Sequence, residues 1–128
     1  MRKVLYKSEL RCYNKKKQLH NDCGPARIIF DIKKGIPFVV CQEWYKDGKR
    51  HRLDGPAVIT FFRGTNRLKS RAWFVNGKQH RVDGPALEYK SMDGELIIRF
   101  YKYNKPYPKE EWFDSLTDKE KLQFILKG

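Results

Sequence analysis

Residues 44–57 read WYKDGKRHRLDGPA and residues 73–86 read WFVNGKQHRVDGPA, one fourteen-residue motif returning at an offset of 29. A chain that repeats itself over about 30 residues builds copies of one small unit that bury their apolar faces against each other. A degraded copy precedes these two: residues 12–26 read CYNKKKQLHNDCGPA and keep His20 and Gly24-Pro25-Ala26, with Asn21 at the Arg position and Cys23 at the Asp position. A last half-copy, FYKYNKPY at residues 100–107, sets Tyr101 and Asn104 where Trp73 and Asn76 stand, an offset of 28. Outer copies that lose the consensus suit capping units.

Each copy reads as strands and turns. Trp44-Tyr45-Lys46 and Trp73-Phe74-Val75 are short aromatic runs, followed by Asp47-Gly48 and Asn76-Gly77. These dipeptides are strong two-residue hairpin signals, because a type I′ turn needs positive φ at both central positions. Lys15-Lys16-Lys17 marks a loop in place of that turn in the first copy. Asp54-Gly55-Pro56 and Asp83-Gly84-Pro85 are again turn chemistry. Apolar runs follow: Arg27–Phe30, Ala57–Phe62 and Ala86–Tyr89. Loops at 63–66 and 91–94 lead to the next aromatic strand. The spacing implies a long antiparallel meander.

The tail changes period. Pro108 suits a helix start, with Trp112, Phe113 and Leu116 on one side. Thr117-Asp118-Lys119-Glu120 has the form of a capping box, and Leu122, Ile125 and Leu126 form the apolar stripe of the helix behind it, with Gly128 at its end. The expected fold is therefore mainly β: an antiparallel hairpin meander of about three and a half repeats capped by short C-terminal helices. The repeat domain spans 1–107, with copies near 12–40, 41–69 and 70–98 and a half-copy at 99–107; the helical cap spans 108–128. The cap is expected to hide the last sheet edge.

The chain carries 28 Lys and Arg against 15 Asp and Glu, a formal charge of +13. Residues 1–98 carry 21 basic and 10 acidic side chains, so the repeats hold nearly all of the excess. That is beyond the ~2–8 that solubility asks of a small domain, and it points to an anionic partner. Cys12, Cys23 and Cys41 are odd in number and form no CxxC pair, which argues against a disulfide framework and a zinc site and for free thiols in a reducing cytosol. Core burial is expected for Cys41, within Val39-Val40-Cys41. Met1–Leu10 lacks the apolar core of a signal peptide, and no apolar run reaches the ~18 residues of a membrane span, so a cytoplasmic protein is expected.

Candidate site residues follow from the motif. His51-Arg52-x-Asp54 and His80-Arg81-x-Asp83 could pair a general base with an anion clamp. Their recurrence would demand two active sites in one small domain. A repeated polar set fits a structural joint better, with Asp54 and Asp83 bonding their own turns and His20, His51 and His80 bonding neighbouring carbonyls or carboxylates. The three histidines are too far apart to share a metal if copies stack at ~10 Å. No cofactor motif is present. Trp44, Trp73 and Tyr101 read as a buried aromatic row, with Tyr45 and Phe74 on the opposite face by strand alternation. The candidate binding set is Lys46, Lys49, Arg50, Arg52, Lys78 and Arg81, with Tyr45 and Phe74 beside it.

At these residues the chain resembles the MORN-type repeat proteins, and more closely the variant whose units carry an Asn-Gly or Asp-Gly hairpin and a Gly-Pro-Ala step. Small proteins with such units occur in phages, giant viruses and some intracellular microbes. The resemblance covers residues 12–107 and departs from the shorter unit of about 23 residues. It implies stacked hairpins, protein and sometimes acidic-lipid contacts, and no catalytic residues. Three functions are open: a non-catalytic module gripping an acidic protein, a nucleic-acid binder using the basic face, and a nucleotide-binding or catalytic protein using the His-Arg-x-Asp sets. Partner identity and oligomeric state are open as well.

Overall fold

The computed structural model describes residues 2–6 and 8–127, with side chains from Ser8 onward. It has thirteen strands: β1 (Arg2–Tyr6), β2 (Glu9–Tyr13), β3 (Arg27–Lys33), β4 (Ile36–Glu43), β5 (Tyr45–Lys46), β6 (Lys49–Arg50), β7 (Val58–Phe61), β8 (Leu68–Ala72), β9 (Phe74–Val75), β10 (Lys78–Gln79), β11 (Leu87–Lys90), β12 (Leu96–Lys102) and β13 (Lys105–Tyr107). Two helices follow, α1 (Lys109–Asp114) and α2 (Asp118–Lys127). The long strands pair antiparallel in the order β1-β2-β3-β4-β7-β8-β11-β12-β13, which is chain order with the hairpins β5–β6 and β9–β10 set aside. The architecture is the expected mainly-β hairpin meander closed by short C-terminal helices.

Antiparallel order sorts the connections. The β3–β4, β7–β8 and β11–β12 loops lie at one end of the sheet, and every copy of the motif lies at the other. The β3–β4 hairpin turns on Lys34-Gly35, with φ of 52° and 77°. At the motif end each copy leaves the sheet, makes a short hairpin and re-enters through its Gly-Pro-Ala step. Re-entry explains the alanine. Ala57 is fully buried, donates its N–H to Ala72 O and accepts from Trp44 N. Ala26 and Ala86 repeat this against Glu43 O and Arg99 O, and accept from Cys12 N and Trp73 N. A larger side chain would overpack this junction between three strands.

A separate cluster closes the C-terminal end. Phe100, Trp112 and Leu116 are buried, with Val82, Tyr107, Phe113 and Phe124 packed against them. Trp112 lies 4.6 Å from the Phe100 ring and 5.1 Å from the Phe124 ring, and its indole N–H donates to Arg81 O. Pro108 precedes α1, where a missing N–H costs nothing. The capping box before α2 is formed: Glu120 N–H donates to Thr117 Oγ1 and Thr117 N–H to Glu120 Oε1. Gly128 lies outside the described residues. Among the described residues no helix is long and apolar enough to cross a membrane.

Four expectations need correction. The last half-copy is shifted by one residue: Phe100, not Tyr101, stands at the Trp73 position, and the turn is Tyr103-Asn104, with φ of 47° and 70°. Burial chose this register, since it points Phe100 at Trp112. Leu122, Ile125 and Leu126 of α2 do not pack; they are 56%, 61% and 78% exposed, and the inward residue is Phe124. Cys41 is half-buried, and Cys12 is the buried cysteine. Trp44 and Trp73 are half-buried rather than core residues, each covered by a guanidinium, Arg52 or Arg81.

Candidate functional site

The short hairpins form a stack of their own. Asp47-Gly48 and Asn76-Gly77 both turn with positive φ at each position, as a type I′ turn requires. Gly48 N–H donates to Leu19 O, Gly77 N–H to Arg50 O, and Asn104 N–H to Gln79 O. Each turn therefore leans on the return strand of the copy before it. The first copy has a longer loop instead, in which Asn14 Oδ1 accepts from Lys16 N and Gln18 N and Asn14 Nδ2 donates to Asp47 Oδ1.

The histidines join copy to copy. His20 Nδ1 accepts from Asp47 N at 3.0 Å, His51 Nδ1 from Asn76 N at 3.0 Å, and His80 Nδ1 from Tyr103 N at 3.1 Å. Each imidazole thus satisfies the first backbone N–H of the next turn, and each must be unprotonated at Nδ1 to do so. His80 also stacks on Tyr103, ring centroids 3.9 Å apart. Burial, then Lys46, pushes the His51 pKa below its ordinary value; burial, then Lys102, does the same for His80, against Glu120.

The arginines hold the Asp-Gly-Pro loops. Arg52 Nε donates to Asp54 Oδ1 at 3.0 Å and Nη1 to Pro56 O at 3.1 Å, while its guanidinium lies 4.0 Å from the Trp44 ring centroid. Arg81 does the same with Asp83, Pro85 O and Trp73, at 2.7, 3.0 and 3.9 Å. The glycine that follows is where the guanidinium lies: a Cβ on Gly55 or Gly84 would sit 2.9 or 2.7 Å from the arginine Cζ. In the first copy Asn21 takes the role, donating Nδ2 to Pro25 O.

These contacts divide the candidate binding residues. Arg52 and Arg81 are engaged in their loops. Arg50 reaches Glu43 at 3.1 Å and lies across Phe74, and the Tyr45 hydroxyl donates to Glu43 at 2.7 Å. Glu43 is buried and also accepts from Arg27 at 2.8 Å. Burial would raise its carboxyl; Tyr45, Arg50 and Arg27 outweigh burial and hold it below the usual range. Lys46, Lys49 and Lys78 are exposed and have no carboxylate within 4 Å among the described residues. The Lys49 stem lies along Gly77, as Gln18 lies along Gly48. Lys105, exposed after the last turn, occupies the same place as Lys49 and Lys78. Sequence reading missed it, since the one-residue shift of the half-copy hid its equivalence. With Lys15, Lys16 and Lys17, these lysines crest four stacked hairpins at ~10 Å per copy.

Below the crest, two clefts separate successive Gly-Pro loops, the first copy's loop being Cys23-Gly24-Pro25. The first, 530 Å³, has Trp44 in its wall between Asp22 and Leu53; the second, 430 Å³, has Trp73 between Leu53 and Val82. Among the described residues no three His, Cys, Asp or Glu side chains are placed to hold a metal ion. Comparison with known proteins finds no matching family model, no matching curated protein and no matching solved structure.

Proposed function

We propose that the protein is a non-catalytic interaction module that binds an acidic protein partner along its stacked hairpins, as MORN-like scaffolds would. One observation carries this reading. The lysines of the crest lie on hairpins that hydrogen-bond to each other and have no internal carboxylate, whereas the neighbouring arginines are spent on the fold. A repeated set of cations mounted on bonded hairpins, without carboxylate partners among the described residues, matches a repeated set of carboxylates and steers association with them.

Two features favour protein over nucleic acid. Trp44, Trp73 and Phe74 each have an arginine over the ring, which leaves less aromatic face for base stacking. The guanidinium forks of Arg50, Arg52 and Arg81, suited to phosphate, are engaged as well. The histidines bond backbone N–H groups, which favours a structural duty over chemistry.

The test is fluorescence anisotropy at about 150 mM salt with two labelled probes of equal charge, a poly-glutamate peptide and single-stranded DNA. The expected result is tighter binding of the peptide, lost in Lys49→Glu/Lys78→Glu/Lys105→Glu. Preferential binding of DNA with a steep salt slope would replace this reading with the nucleic-acid one.

A further inference from the structure

The two clefts use equivalent positions of successive copies, yet their walls differ in chemistry. Leu53 lines both; at the place where the first carries Lys46 the second carries Val75, in place of the first's Asp22 stands Leu53, and Tyr103 lines the second as well. Leu53 is 80% exposed, and Tyr103, although it stacks on His80, keeps 61% of its surface open. Tyr103 also has φ of 47°, in the turn position that Asp47 and Asn76 hold elsewhere. A bulky residue seldom adopts that backbone, and such strain concentrates where a side chain serves recognition.

Charge inside the second cleft is matched by the fold, through Arg52 with Asp54 and through Asp83 with both Arg81 and Lys127. What the cleft offers a partner is its apolar surface. Just outside stand two cations with no carboxylate partner among the described residues: Lys78 is the cross-strand partner of Val75, and Lys105, its ammonium over the Tyr107 ring, follows the turn that holds Tyr103.

We infer that this second cleft is the anchor pocket of the interface, taking one aliphatic or aromatic side chain of the partner whose flanking carboxylates meet Lys78 and Lys105. This rests on the acidic-partner reading above. A pocket of this size fits one large side chain with room for its backbone, and buried apolar anchors ringed by polar contacts dominate such interfaces.

The experiment uses two labelled peptides of equal negative charge, one with a central Phe between glutamates and one with Ser in its place. The wild type is expected to bind the Phe peptide at least ten times more tightly, with shifts in the methyl signals of Leu53, Val75 and Val82. Val75→Lys installs the residue that the first cleft carries at the same place, which this fold already accommodates, and alters the second cleft alone; it should bind both peptides equally and keep the salt-dependent part. Equal binding of both peptides by the wild type, abolished by Lys78→Gln/Lys105→Gln, would overturn the pocket and leave the acidic-partner reading standing. Binding of neither peptide by the folded protein would overturn both.

Discussion

The Arg81 guanidinium lies over Trp73, 3.9 Å from the ring centroid, and from that position its fork reaches Asp83 and the Pro85 carbonyl. The guanidinium fills the space that Gly84 leaves by having no side chain. One side chain thus ties an aromatic strand end to the loop that returns the chain to the sheet. Arg52 repeats the arrangement one copy earlier.

Arg81→Lys should destabilise the protein by about 2 kcal/mol, since an ammonium cannot bond two acceptors in a plane while stacking on an indole. Arg52→Lys should cost less, because Asp54 is far more exposed than Asp83. Gly84→Ala should displace the same guanidinium. Urea denaturation of Gly84→Ala, Arg81→Ala and the double variant should therefore give strongly sub-additive losses. Additive losses would show that the glycine and the arginine act separately.

The histidine joints should make stability depend on pH. His51 and His80 have folded pKa values below the ordinary value of about 6.5. Between the two values the unfolded chain binds more protons, so this stabilisation is complete above about pH 6.5 and is lost as pH falls through the folded pKa. Denaturation midpoints at pH 7.5 and 5.5 should drop more for the wild type than for His51→Asn/His80→Asn, whose amide oxygens accept the same N–H without titrating. Equal drops would remove the histidines from the explanation.

Glu43→Gln should cost about 3 kcal/mol, because it leaves Arg50 with no carboxylate partner at a buried site and Arg27 with Glu9 alone. The Glu43 pKa is lowered, so its own contribution is present above the ordinary carboxylate pKa and disappears as pH falls through the lowered one. Thermal unfolding of Glu43→Gln should lose this acid-limb dependence.

The α2 residues should divide sharply. Leu122→Gln, Ile125→Gln and Leu126→Gln should each change stability by within about 0.5 kcal/mol, as exposed substitutions do. Phe124→Ala should cost about 3 kcal/mol by emptying the space beside Trp112 and Phe113. Calorimetry on the four variants separates the two faces; a large loss at Ile125 would contradict the packing described.

Cysteine labelling offers a check on burial. Cys23 is exposed and should react with a thiol reagent in the native protein, whereas buried Cys12 should not. Cys41 should lag behind Cys23, since burial and Glu43 push its pKa up to about 11 and leave little thiolate at pH 8.

Features legible in the sequence share one property: the residues that cause them are neighbours along the chain. Asp47-Gly48 and Asn76-Gly77 dictate their turn because the backbone conformation lies within the pair. Thr117 and Glu120 cap α2 because they are three residues apart. The Asp-Gly-Pro loop, too, is closed by an arginine only two residues before the aspartate. The crest lysines Lys46, Lys49 and Lys78 could be named from the same local motif.

Other features depend on distant groups, and only the tertiary structure decided them. Which N–H each histidine would serve depends on how copies stack, since His51 and Asn76 are 25 residues apart. The last copy's register, and with it Lys105, follows from Trp112 docking on Phe100. The helical pattern of α2 offered both a Leu-Ile-Leu stripe and Phe124, and the face turned inward is the one that meets Trp112. Periodicity marks that a face exists; what lies opposite determines whether it is buried.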